Sequence, residues 1–238
     1  MFIDRVTITG ADDNTDPQQL LALSQQYPFV EWGILFSKSK MGQRRYPTLA
    51  WVDRFKLYRM NSSAHFCGFF AAAVINEKKY HLIHELPSCF KRVQINYNFS
   101  SQPDHKLFSL VEHCRNNELP SVILQYNNSN EKAITQEVCD KQATSNIHLL
   151  YDSSGGRGMA IGEIKHPFDK RYTGYAGGIN KSNIEELITV IYSMTGNHQP
   201  VWIDIETGAR DSNDQFDLKT VDEILSKLLT YKLIGKAI

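Results

Sequence analysis

The chain has 238 residues, 42% of them hydrophobic, and balances 26 Lys and Arg against 26 Asp and Glu. That length can bury a large core, and the charge balance gives no overall pull toward nucleic acid or an anionic membrane. No apolar run approaches the roughly 20 residues that cross a bilayer, and Met1 to Arg5 lack a basic stretch followed by an apolar core, so one cytoplasmic domain over residues 1–238 is expected. Cys67, Cys89, Cys114 and Cys139 stand far apart with no C-x-x-C pair, a spacing of reduced thiols and not of a disulfide framework or zinc knot.

Short β-rich runs alternate with helical patterns along the chain. The first, Arg5 to Gly10, precedes Asp16-Pro17, an N-cap and first-turn proline ahead of Leu20, Leu21 and Leu23. The second, Phe29 to Phe36, leads into a polar loop with Lys38, Lys40, Arg44 and Arg45. Runs three to six are Ser63 to Gly68, Arg92 to Asn98, Ser121 to Asn127 and Asn146 to Ser153. Pro87 and scattered histidines interrupt the connection from Phe69 to Lys91, and glycines and charges break Met159 to Tyr172 too often for a long helix. Runs seven and eight, Thr173 to Gly177 and Val201 to Glu206, flank a helix that Ser182 and Glu185 would open as a capping box before Ile184, Leu187, Ile188 and Ile191. Asp217 caps a last helix with a wide apolar stripe at Leu218, Val221, Ile224, Leu225, Leu228 and Leu229. Eight strands, each followed by a crossover, predict an α/β fold, a parallel eight-stranded (β/α)8 TIM barrel. An open doubly wound sheet would carry G-x-G-x-x-G after its first strand, and none is present.

Two turns, Ala176-Gly177-Gly178-Ile179-Asn180 and Ile205-Glu206-Thr207-Gly208-Ala209, each follow a strand run and precede a helix. In a barrel the loops after strands seven and eight lie side by side, where backbone N–H groups can hold a phosphate and glycine admits oxygen closely. Gly177, Gly178, Thr207 and Gly208 are therefore the candidate phosphate-binding residues; the alternative is a pair of ordinary helix-start turns.

These turns, Leu149-Leu150-Tyr151-Asp152 leading to Gly155-Gly156-Arg157-Gly158, the run Val201 to Gly208, and Arg45-Tyr46 together resemble the phosphoribosylanthranilate isomerase family over most of the chain. Ala176 to Asn180 is similar to that family's Gly-Gly-Leu-Asn turn, Leu149 to Gly158 to its strand-six aspartate and glycine loop, Val201 to Gly208 to its Val-Asp-Val-Ser-Ser-Gly run, and Arg45-Tyr46 to an Arg-Tyr pair whose arginine grips the anthranilate carboxylate. The resemblance implies a barrel performing an Amadori rearrangement on a phosphorylated ribosylamine. The chain departs from the family at Ile8-Thr9-Gly10-Ala11, where Thr9 stands in place of the cysteine that is the general base, and at Met159-Ala160-Ile161-Gly162-Glu163, which replaces a Phe-Asp-Trp run. A threonine hydroxyl is too weakly acidic to take over proton abstraction by itself.

Candidate chemistry belongs at strand C-termini and the loops beyond them. Alternation puts Thr7 with Thr9, His65 with Cys67, and Asp204 with Glu206 on common faces. Asp152 is the candidate general acid, shielded by the glycine loop, or else a strand-end cap. Cys67, His65 and Glu206 are candidate substitutes for the absent base; Cys67 would need a thiolate stabilised by His65 or a helix start, and otherwise both are core residues. Arg45 with Arg44 fits either a fork for a substrate carboxylate or a solvated basic loop, Arg157 and Arg210 either lie near the phosphate or face water, and Asp12-Asp13 either orient ribose hydroxyls or begin a solvated loop. No metal site and no cofactor are expected, and the partners expected are a phosphorylated small-molecule substrate and, at most, a second copy in a homodimer. The alternatives to isomerisation are an aldolase, lyase or epimerase on another phosphorylated metabolite, or a noncatalytic ligand-binding barrel.

Overall fold

Eight parallel strands close on themselves in sequence order in the computed structural model, which describes residues 3–99, 105–117, 119–139, 146–153, 164–168, 171–195 and 199–230. They are β1 (Ile3–Thr9), β2 (Val30–Phe36), β3 (Ser62–Cys67), β4 (Phe90–Asn96), β5 (Ser121–Tyr126), β6 (Ile147–Asp152), β7 (Thr173–Ala176) and β8 (Val201–Ile205), with β8 pairing back onto β1. Each expected run is recovered, with its ends moved by about two residues at most, the margin at which strand ends are defined anyway.

The helices are α1 (Pro17–Gln26), α2 (Leu49–Phe55), α3 (Phe69–Asn76), α4 (His81–His84), α5 (His105–Asn116), α6 (Glu131–Cys139), α7 (Ile184–Thr195) and α8 (Leu218–Thr230). Asp16 caps α1 by accepting from the Gln18 N–H, with Pro17 at the first helical position. Asp217 accepts from the Lys219 N–H at 3.0 Å and from the Thr220 hydroxyl at 2.6 Å. The capping box of Ser182 with Glu185 gives way to a different cap. Asn180 Oδ1 accepts both the N–H and the hydroxyl of Ser182, and α7 starts later, with the Leu187 N–H on the Asn183 carbonyl. An asparagine two residues earlier competes successfully for the serine because its side chain closes a compact local turn. No helix of the described residues is long and apolar enough to cross a membrane.

The main core lies between barrel and helices, where the outward residues of the strands, such as Trp32, Ile34, Val93, Leu124, Leu149 and Ile203, are buried. Inside the barrel, apolar packing is confined to Ile123, Leu150 and Trp202, with Tyr172 and Ala176 against them. Gly174 makes room for this plug, since a Cβ there would sit 2.1 Å from Trp202 Cε2. The rest of the interior is mostly polar, and its lower part holds an ion cluster. Glu31, fully buried, accepts from Arg5 Nη1 at 2.7 Å, Arg92 Nη2 at 2.5 Å, Arg92 Nε at 3.0 Å and the Thr7 hydroxyl at 3.0 Å, and the Arg92 guanidinium lies 4.4 Å from the Trp202 ring centroid. Burial opposes the charge on Glu31, but the pull of Arg92 and Arg5 and the bonds from Arg92 and Thr7 outweigh it and lower the carboxyl to about 2. This plug and ion cluster fill the lower barrel and leave its C-terminal end open.

Candidate functional site

A cavity of about 730 Å³ occupies that end. The strand ends supply Cys67 of β3, Gln94 and Asn96 of β4, Gln125 of β5, Asp152 of β6 and Asp204 of β8, and the loops add Arg45, Tyr46, Gly178, Glu206, Thr207 and Gly208. Seven of the sequence-derived site residues thus meet in one space: Cys67, Asp152, Arg45, Glu206, Gly178, Thr207 and Gly208. Thr9, His65 and Gly177 are not among its lining residues.

His65 is 1% exposed, with Nε2 at 3.0 Å from the Ser63 hydroxyl and its ring against Gly33, where an added Cβ would lie 2.9 Å from Cε1. Burial holds the imidazole down to about 3, leaving it uncharged and weakly basic near neutral pH. Cys67 meets His65 through the backbone only, its Sγ lying 3.7 Å from the His65 carbonyl. Of the two readings open for Cys67, the geometry favours the core residue over an imidazole-stabilised thiolate. Burial pushes the Cys67 thiol up to about 11, against a lowering hydrogen bond from Asn96 Nδ2 at 3.3 Å, and α3, which starts two residues on, does not offset it.

Thr9 lies 1% exposed below the cavity and donates its hydroxyl to Asp204 Oδ1 at 2.9 Å. Burial raises the Asp204 carboxyl to about 7; the Thr9 bond works against that shift and the nearby charge of Glu206 adds to it. Sequence alternation set Asp204 on the inward face beside Glu206 but gave it no role. A single acid in Val201-Trp202-Ile203-Asp204-Ile205, otherwise wholly apolar, was the available signal. Asp152 is buried at the rim and accepts from Gln125 Nε2 at 2.6 Å. The glycine loop Gly155 to Gly158, with Arg157, and the run Met159 to Glu163 lie outside the described residues.

Arg45, at a positive φ of 74°, gives its backbone N–H to Asp12 Oδ2 at 2.8 Å, Nη1 to Glu206 Oε1 at 2.7 Å and Nη2 to Asp214 Oδ1 at 2.5 Å. Arg44 Nη1 reaches the Asn213 carbonyl at 2.7 Å, and Asp13 accepts the Thr48 N–H and hydroxyl at 2.8 and 2.5 Å. Arg210, its side chain 1% exposed, donates to Gly10 O at 2.8 Å and Asp214 Oδ1 at 2.8 Å. These contacts bear on the solvated-loop readings of Arg45, Asp12-Asp13 and Arg210. None of the three is a free loop group; together they lace the loops after β1, β2 and β8 along one side of the mouth.

The two glycine turns touch. A Cβ on Gly208 would fall 2.0 Å from the Ile179 carbonyl oxygen, so only a bare Cα lets the backbones meet. Gly177 and Gly178 hold φ of 101° and 63°, a region that favours glycine. The Gly178 carbonyl accepts from Asn180 Nδ2 at 3.1 Å and Asn183 Nδ2 at 2.9 Å, which directs the N–H of Ile179, across the trans peptide, to the opposite side. A second concavity of about 550 Å³ shares Gly178, Ile179, Thr207 and Gly208 with the first and adds Lys181 and Arg210.

No family model and no curated protein matches the chain. Among solved structures it is similar to the phosphoribosyl anthranilate isomerase of Thermus thermophilus, with a TM-score of 0.60 at 16% identity over 95% of this chain and 99% of that one. TrpF from Jonesia denitrificans follows at 0.58 and 12% over 95% and 98%. The DAHP synthase, a phospho-2-dehydro-3-deoxyheptonate aldolase, of Thermotoga maritima reaches 0.52 at 12% over 97% of this chain and 69% of that one. The fold is a TIM barrel. Identities this low show that much and no more.

In a TIM barrel the reactive groups come from the C-terminal ends of several strands and the loops beyond, and Asp152, Asp204 and the glycine turns stand at that end. Among the described residues no group of three or more His, Cys, Asp or Glu is placed to hold a metal ion. Chemically, the cavity offers two carboxyl groups on different strands, a wall of amides and two abutting glycine turns.

Proposed function

We propose that this TIM barrel isomerises a phosphorylated sugar derivative of the phosphoribosyl type by acid–base catalysis. The observation that carries the reading is that Asp152 and Asp204 line the same cavity as the abutting turns at Gly178 and Gly208. The backbone around Gly177, Gly178, Thr207 and Gly208 would hold the phosphate. Asp152 would protonate the ring oxygen as the C1–O bond breaks. Asp204 would take the proton from C2, giving an enol that returns to the ketone as one proton moves from oxygen to C1. A carboxyl group held near 7 is suited to accept a proton at neutral pH, and it fills the vacancy left by Thr9. The likeness in fold to a phosphoribosyl anthranilate isomerase supports this class of reaction.

The test is deuterium incorporation at C2 of ribose 5-phosphate in heavy water, read by NMR. The expected result is enzyme-dependent exchange that Asp204→Asn and Asp152→Asn each abolish while phosphate-ligand affinity survives. Exchange at the parent rate in both variants, or none in the parent protein, overturns the reading.

A further inference from the structure

Across the closed barrel from β8 stands β4, and beside it β5, so the wall they form faces the glycine turns. Six carboxamides line it: Gln94, Asn96, Asn98, Gln125, Asn127 and Asn130. Gln94, Asn96 and Gln125 are ordered by their own bonds. Gln94 Nε2 donates to Asn96 Oδ1 at 2.8 Å, Asn96 Nδ2 to Cys67 Sγ at 3.3 Å, and Gln125 Nε2 to Asp152 Oδ2 at 2.6 Å. Gln94, which lines the cavity, gives its nitrogen to Asn96 and keeps Oε1 as a buried acceptor with no partner among the described residues. A buried acceptor left so is costly, and a bound hydroxyl that reached it would lift that cost.

The charges of the cavity point the same way. Its described lining holds the acids Asp152, Asp204 and Glu206, and the one cation among them is Arg45. Both terminal nitrogens of Arg45 are already on carboxylates, Glu206 and Asp214. A carboxylate on the substrate would meet acids and find no uncommitted cation among the described lining residues, whereas hydroxyl groups can both donate to and accept from amides.

We infer that the substrate's end opposite its phosphate is uncharged and hydroxylated, bound by the carboxamide wall of β4 and β5, and carries no carboxylate. This rests on the phosphosugar reading above and narrows its substrate class, excluding an anthranilate-like group.

Calorimetric titration with glucitol 6-phosphate, 6-phosphogluconate, glucitol and gluconate tests it, because each acid is the open-chain polyol with a carboxylate in place of its terminal hydroxymethyl group. Glucitol 6-phosphate should bind about tenfold tighter than 6-phosphogluconate, the size of one unfavourable charge contact near a wet surface. Equal or tighter binding of 6-phosphogluconate overturns the inference. If glucitol binds as tightly as its phosphate, the phosphosugar reading fails, and the comparison of glucitol with gluconate still decides the charge preference. No binding of any of the four overturns both. Glu206→Gln, and separately Asp214→Asn, should each release one nitrogen of Arg45 from a carboxylate and raise affinity for 6-phosphogluconate, a gain that misfolding cannot produce. Gln94→Leu should weaken glucitol 6-phosphate; affinity unchanged in all three variants also overturns the assignment.

Discussion

Thr9 of β1 donates its hydroxyl to Oδ1 of Asp204 on β8, 2.9 Å away, joining the first and last strands of the barrel beneath the cavity. The bond favours the ionised carboxylate and so holds back the rise that burial imposes. Thr9→Val removes the donor and should move the Asp204 carboxyl above about 7. If Asp204 is the base, the acidic limb of the kcat/KM profile moves to higher pH with it, and Thr9→Ser restores the parent position. A carboxyl titration by NMR reads the same shift without an assay. An unmoved titration in Thr9→Val would remove Thr9 as the group that positions Asp204.

The same carboxyl links stability to pH. Burial holds it near 7 in the folded protein against an ordinary value of 3.8, so between those values the folded state keeps a proton that the unfolded chain releases. The stabilisation is fully present below pH 3.8 and is lost as pH rises through 7. Asp204→Asn cannot ionise and can still accept from Thr9. Its stability relative to the parent protein should therefore climb from pH 4 to pH 7 and level off above, by about 4 kcal/mol at the upper bound set by 1.36 kcal/mol for each unit. Urea unfolding at pH 5 and pH 8 measures it. Equal differences at both values would place the Asp204 carboxyl back in the ordinary range.

The fold was legible because each strand announces itself locally: Val201 to Ile205 and Ser121 to Tyr126 are apolar runs bounded by turns, and Asp16-Pro17 and Asp217 mark helix starts on their own. The meeting of the two turns after β7 and β8 was legible for a similar reason, since glycines after strands report backbone need. What stayed hidden depends on partners distant in sequence. Thr9 and Asp204 are 195 residues apart, Arg45 and Asp214 are 169 apart, and no local pattern says that Arg45 is already neutralised. His65 and Cys67 have the right chemistry by type, and only three-dimensional burial takes the charge away from both. The amide wall was written in the alternation Gln94, Asn96 and Gln125, Asn127, but amides do not titrate, and a search for acids and bases passes over them.

Glu31 and Arg92 form the interior ion pair of the barrel, their side chains 0% and 3% exposed. Removing one partner strands the other in a dry interior, whereas replacing both with apolar side chains strands neither. Glu31→Ala should lower stability by about 3–5 kcal/mol, and Glu31→Met with Arg92→Met should recover much of that loss. Because the Glu31 carboxyl lies near 2, its contribution is present above the ordinary value of 4.5 and is lost as pH falls through 2, so the parent protein's advantage over Glu31→Gln should shrink as pH falls through that range. Denaturant unfolding of Glu31→Met, Arg92→Met and the double closes the cycle. A double variant no more stable than the single variants would show that the pair itself is a net stabiliser of the barrel.

Gly208 and Ile179 bring the last two βα loops into contact, and substitution at Gly208 separates shape from stability. An alanine Cβ would meet the Ile179 carbonyl oxygen at 2.0 Å and the Asn180 Cα at 2.9 Å, both backbone atoms that cannot swing aside. The two turns must part by an ångström or more to admit it, and a phosphate held between them would lose its fitted donors. Gly208→Ala should thus cost about 1–3 kcal/mol of stability and weaken glucitol 6-phosphate binding at least about tenfold, a loss of about 1.4 kcal/mol in affinity. Gly174→Ala is the matched control, since its Cβ strikes the Trp202 ring inside the barrel at 2.1 Å. It should destabilise comparably while the fraction that folds keeps its affinity. Thermal melting paired with calorimetric titration separates the two effects, and a Gly208→Ala protein that binds like the parent would detach phosphate binding from these turns.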